Sequence, residues 1–113
     1  MIKKTLTLIL ILPFFIFTSL RAEIIKPNSN IEPYKVVKIQ LTSLMKNNYP
    51  NKDAGIKQTW EFAHPNNQRV TGPLDRFKIM LKGDSYKMLL NHLDHKIVAV
   101  KITNGVADYE VTV

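Results

Sequence analysis

The side chains with the clearest capacity for chemistry lie close together towards the C-terminal end: His92, Asp94 and His95. An imidazole oriented by a carboxylate is the usual equipment of a general base, because it takes up and returns a proton near neutral pH. Local structure decides which pair forms. On a helix His92 and His95 share a face, whereas on a strand they point to opposite sides and His92 is left with Asp94. We read His92 and Asp94 as the candidate catalytic pair, against the plainer reading of a partly exposed polar strand edge. A metal site needs at least a third protein ligand, and only the distant His64 is left to supply one, so no metal ligands and no cofactor are expected.

The remaining polar candidates have structural readings beside the functional ones. His64 precedes Pro65 and reads as a cap on the last carbonyls of a helix. Arg69 and Arg76 are candidates for anion binding, with surface pairing of Arg76 to Asp75 or Glu61 as the alternative. Trp60, Phe62, Phe77, Met80, Tyr86 and Tyr109 are core residues in one reading. In the other they line a pocket for a small apolar or amphipathic molecule. No phosphate loop, nucleophile elbow or paired-carboxylate motif is present.

These residues must be positioned by a small number of elements. Pro33 suits a first helical turn, and Val37, Leu41, Leu44 and Met45 follow at helical spacing until Asn47-Asn48-Tyr49-Pro50 breaks the pattern. A second helix is expected with Asn51 as its cap, with Ile56, Trp60 and Ala63 a turn apart, ending at Pro65. A third opens at Thr71-Gly72-Pro73, places Leu74, Phe77 and Leu81 on one face and stops at Gly83. A helical turn at residues 86–90 leads into a strand from about His92. Asn104-Gly105 then predicts a type I′ hairpin turn. The hairpin would set Ile102 opposite Ala107, Val100 opposite Tyr109 and Val98 opposite Val111 on an apolar face, with Lys101 opposite Asp108 on the other.

The N-terminal segment reads as an export signal. Lys3 and Lys4 precede an apolar run over residues 6–17, too short to span a bilayer comfortably and interrupted by Pro13, and the small Ala22 marks the expected cleavage point. An uncleaved leader serving as a membrane anchor is the alternative. Residues 1–22 are thus taken as signal peptide, 23–32 as a flexible lead-in and 33–113 as one domain of periplasmic or secreted destination. The 113 residues carry 16 basic and 9 acidic side chains, a net +7. Lys3, Lys4 and Arg21 belong to the leader, which leaves 13 against 9, or +4, spread without an Arg-rich tract. Nucleic acid is therefore not an expected partner. Without cysteine, no disulfide braces the fold and no thiol can act as nucleophile.

The middle of the chain resembles a known group. Gly55-Ile56, Thr59-Trp60, Phe62-Ala63, Pro65-Asn66, Thr71-Gly72-Pro73, Arg76-Phe77, Met80, Tyr86 and Leu89-Leu90 look like the domain of unknown function 4864 family, over about a third of the chain. That family in turn resembles the nuclear transport factor 2-like, or cystatin-like, superfamily. The resemblance implies an α+β fold in which N-terminal helices pack on a curved antiparallel sheet to form a cone with an apolar pocket. Its sheet ordinarily has more strands than can follow residue 92 here, so the sheet is expected to be incomplete at the C-terminus or completed by another chain. Members include isomerases, dehydratases and cyclases as well as binding modules, so the fold leaves the activity open.

Three expectations follow. The first is a non-catalytic module binding a small apolar or amphipathic molecule. The second is a lyase or isomerase using His92 with Asp94. The third is an interaction domain forming a homodimer through the C-terminal strand.

Overall fold

The computed structural model describes residues 23–113. The leader and its cleavage point lie outside the described residues. The fold is α+β: helices α1 (Pro33–Met45), α2 (Ala54–Glu61), α3 (Pro65–Thr71) and α4 (Leu74–Lys82) are followed by a 3₁₀ turn (Lys87–Leu89) and strands β1 (Lys96–Thr103) and β2 (Val106–Thr112). The two strands form an antiparallel sheet.

α1 begins as expected, with Pro33 in its first turn, where a missing N–H costs nothing. It turns Leu41 and Leu44 inward. α4 also matches its expected limits, between Pro73 and Gly83, and buries Phe77 and Leu81. The core is made by helices: Leu44 from α1, Ile56 from α2 and Phe77 and Leu81 from α4, with Trp60, Leu74, Met80, Leu89 and Leu90 packed around them. Ile56 has no exposed surface.

The region between α1 and α4 differs from expectation in two places. α2 starts after Asp53, not after Asn51, and Asp53 takes a left-handed φ of 61°. Its first turn is capped from α1's side: Asn47 Oδ1 accepts the N–H of Ile56 at 2.9 Å and the Asn47 carbonyl accepts that of Gly55 at 2.9 Å. A cap supplied by another segment relieves Asn51 of the role, because the orphan donors of a helix end accept any nearby oxygen. The second difference is that α2 stops at Glu61, short of Ala63 and Pro65, and a further helix, α3, follows it. Pro65 opens a helix instead of only ending one, and His64 caps that helix by accepting the N–H of Asn66 on Nδ1 at 3.1 Å. His64 thus serves a helix start, where the exposed donors are N–H groups, and not a helix end.

The hairpin keeps its expected turn position but changes twice. Gly105 has φ 80°, and among the described residues Asn104 is not one of those with positive φ, so the turn is not type I′, which needs two such positions. Pairing runs Thr103↔Val106, Ile102↔Ala107 and Lys101↔Asp108 as expected, then shifts at Val100 to Ala99↔Tyr109, Val98↔Glu110 and Ile97↔Val111. One extra residue in β1 reverses the alternation before it, so Ile97 replaces Val98 on the face of Ala107, Tyr109 and Val111. That face leans on α1, with the rings of Tyr34 and Tyr109 6.1 Å apart. β1 begins at Lys96, beyond the histidines, which leaves His92, Asp94 and His95 in a loop.

Candidate functional site

The residues read as chemical candidates separate into three places. In the loop before β1, His92 Nδ1 lies 2.6 Å from the Leu89 carbonyl and Nε2 lies 2.8 Å from Nδ1 of His95. Asp94 is exposed, and its Oδ1 accepts the backbone N–H of His95 at 2.8 Å. The hydrogen-bonded partner of His92 is therefore His95. The arrangement follows from the loop, in which neither strand alternation nor helical stacking operates.

The aromatic candidates are divided between the core and the surface. Trp60 stands 5.1 Å from Phe77, ring centre to ring centre, and Met80 packs on the same cluster. Phe62 is half-buried at the end of α2, Tyr86 is exposed and Tyr109 sits against α1. Arg69 donates to Asn66 Oδ1, and Glu61 pairs with Lys26. Arg76 is exposed.

A concavity lies elsewhere, along α1 and α2. The Ile25 N–H donates to Gln58 Oε1 at 2.7 Å while Gln58 Nε2 donates to the Ile25 carbonyl at 2.8 Å. An amide side chain thereby grips the backbone as a neighbouring strand would, and Lys26 adds an ion pair to Glu61 at 3.1 Å. The 23–26 segment is thus a strap across the two helices. Beneath and beside it is a trough of about 870 Å³, reaching Ser43 of α1, Lys46 just past its end, the Tyr49-Pro50 turn and Ala54, Gly55 and Lys57 of α2. A smaller hollow of about 420 Å³ continues along α1 to Lys35, Lys38 and Ile39, sharing Ile25, Thr42 and Ser43 with the first. Lys35, Lys38, Lys46 and Lys57 make no ion pair among the described residues, and Glu23 is the one acidic side chain lining the trough. None of Trp60, Phe62, Phe77, Met80, Tyr86 and Tyr109 lines either hollow.

A buried polar cluster ties the turn after α1 and the start of α2 to the end of α4. Asn47 and Asp53 are both buried; Asn47 Nδ2 donates to Asp53 Oδ1 at 3.2 Å, and Lys82 Nζ donates to Asp53 Oδ2 at 2.8 Å. The Lys82 ammonium holds the Asp53 carboxyl below the usual carboxylate range; burial opposes this, and the Asn47 amide and the charges of Lys82 and Lys78 add to the lowering. Sequence reading missed the cluster. Its only signal was the density of Asn and Asp in the break between helices, and these residue types also mark ordinary turns.

A depressed carboxyl contributes stability that is complete above its unfolded value, about 3.9, and that is lost as pH falls through the lower folded value. Asp53→Asn is therefore expected to lower the unfolding temperature at pH 7 and to narrow its gap from the wild type as pH falls from about 4 towards 2. Thermal melts across that range check it, and a gap independent of pH would contradict the role given to Asp53.

Comparisons with protein families, with curated proteins and with solved structures find no match for this chain. Among the described residues, no helix is long and apolar enough to cross a membrane.

Proposed function

We propose that this chain is an exported, non-catalytic module that binds a small amphipathic molecule with an anionic group in the strapped trough over α1 and α2. The observation that carries this reading is the lysine-rimmed apolar hollow itself. Ile24, Ile25, Pro50 and Ala54 offer apolar surface, while Lys46 and Lys57 stand at its edge and Lys35 and Lys38 at its extension. Its volume falls within the range of small-molecule sites. Export, with cleavage near Ala22 and a periplasmic or secreted destination, rests on the charge and hydropathy pattern of the leader.

Kinship with the domain of unknown function 4864 family and the nuclear transport factor 2-like superfamily is part of the same proposal. The order of helices before strands supports it. So does the irregularity at Val100, since a bulge bends a strand in the way that a curved, cone-forming sheet requires.

The test is titration of the untagged mature chain with a dansyl-labelled undecanoic acid. Saturable 1:1 binding is expected, weakened about tenfold by combined Lys46→Glu and Lys57→Glu, since two surface charge contacts are worth about 1–2 kcal/mol together. Lys101→Glu, on the hairpin, should leave it unchanged. Absence of saturable binding, or equal loss in the hairpin variant, would remove this reading.

A second reading is favoured by the hairpin. Val98, Val100, Ile102 and Val106 are exposed on a two-stranded sheet, and among the described residues the outer edges of β1 and β2 are unpaired. Such an edge is a template for another strand. β1 carries Lys96 and Lys101 while β2 carries Asp108 and Glu110, so β1 of one copy is complementary in charge to β2 of another. A mature chain that sediments as a monomer at high concentration would set this reading aside.

A further inference from the structure

We propose that the face formed by α1, the 23–26 strap and the start of α2 docks on a bilayer surface rich in anionic lipid. The proposal rests on the reading that the trough takes an anionic amphiphile, and it names the membrane as the source of that molecule. The charge on this face is one-sided. Lys35, Lys38, Lys46 and Lys57 line the two joined hollows and make no ion pair among the described residues. Against them, Glu23 is the one acidic side chain among the described residues that lines either hollow, and α1 contains no acidic residue.

Helical spacing puts these lysines in line. Lys35, Lys38 and Thr42 follow one another on α1 at the spacing of a single face, and Lys46 lies a turn further on, just past the helix end. Leu41 and Leu44 take the opposite side and are buried. At a rise of 1.5 Å per residue the stripe from Lys35 to Lys46 is about 16 Å long. A small amphiphile carries its anionic group at one end and can meet the ammonium groups only at one part of such a stripe. A bilayer presents phosphates side by side and can meet them all.

Apolar side chains stand on the same face. Ile24 is 43% exposed, Ile25 45% and Tyr49 65%, and all three line the trough. The strap that carries the isoleucines is held in place by Gln58 and by the Lys26–Glu61 pair, which fixes them over α2. Aliphatic side chains beside lysines insert at the boundary between headgroups and acyl chains, and a tyrosine ring sits at headgroup level. Docking of this kind is peripheral and needs no membrane-crossing helix. A nucleic acid backbone would use the lysines and leave the isoleucines in water, so the combination of charge with apolar surface favours lipid.

The experiment is co-sedimentation of the untagged chain from residue 23 onward, which holds every element and the whole core of the described fold, with vesicles of phosphatidylcholine alone and of an equal mixture with phosphatidylglycerol. Binding to the mixed vesicles alone is expected, and it should fall as salt is added, because exposed charges are screened. Each lysine near an anionic surface is worth about fivefold in binding, so Lys35→Gln combined with Lys38→Gln should weaken it about twenty-five-fold. The same charge removed from the hairpin, by Lys96→Gln with Lys101→Gln, should leave it nearly unchanged. Equal loss in the two double variants, equal binding to both kinds of vesicle, or tighter binding to duplex DNA than to the mixed vesicles would overturn the proposal. Binding of the dansyl-labelled acid with none to the vesicles would overturn it and leave the trough reading in place, whereas failure of both would remove the two together.

Discussion

Replacing Gly55 by alanine is expected to destabilise the fold by about 3 kcal/mol, against a helix-propensity gain of less than about 1 kcal/mol. A Cβ at this position would stand 2.1 Å from the Ser43 carbonyl oxygen and 2.8 Å from the Asn47 Cα. Both contacts are with the backbone of α1 and the turn that follows it, so no side chain can swing aside. α1 and α2 must separate instead, and the first turn of α2 then loses its bonds from Gly55 N and Ile56 N to Asn47, both 2.9 Å. Buried bonds of this kind are worth about 1 kcal/mol each, which adds to the cost of overpacking. Urea unfolding of the two proteins measures the difference. A variant as stable as the wild type would mean that the close crossing of α1 and α2 does not exist in solution.

The second large effect is expected at Ile56→Ala, about 4 kcal/mol. Ile56 has no exposed surface and belongs to the cluster formed with Leu44 from α1 and Phe77 and Leu81 from α4. Removing its outer carbons leaves a cavity walled by three helices whose separations are fixed by other contacts, so collapse is limited and the cost falls in the upper part of the usual range. Total stability for a chain of this size is of order 5–15 kcal/mol, so the variant should be close to unfolding at physiological temperature. Trp60 packs on the same cluster, and its near-ultraviolet circular dichroism should weaken with the shift in the unfolding midpoint. A loss below about 1 kcal/mol would place the core elsewhere.

Much of the helical plan was legible because its signals are local. Pro33 and the Pro73–Gly83 bracket fix φ or end a helix within a few residues of themselves. α3 was hidden for the same reason: it buries no side chain, so no apolar period announces it, and Pro65 reads equally as the end of one helix and the start of the next. The hairpin shows how far a pattern can go. Asn104-Gly105 placed the turn, yet Ile97, Val98, Ala99 and Val100 are all apolar, so both phases of alternation are satisfied by side-chain type. The backbone shift at Val100 then selected Ile97 over Val98 for the inner face.

The candidate sites were less visible. His92 and His95 were recognised as a possible pair, but the choice between them and His92 with Asp94 depended on whether the segment was helix, strand or loop. The trough was not foreseen, because Ile25 and Gln58 lie 33 residues apart and neither is unusual where it stands. The same holds for Asp53 and Lys82, 29 residues apart.

By itself the sequence determined the features that depend on a residue and its near neighbours: the lack of cysteine, the starts and stops of α1 and α4, and the site of the turn. Tertiary structure alone decided which face of β1 turns inward, what neutralises the buried Asp53, and where the chain forms a hollow. These depend on groups brought together by packing across tens of residues, and backbone preference acts over only a few.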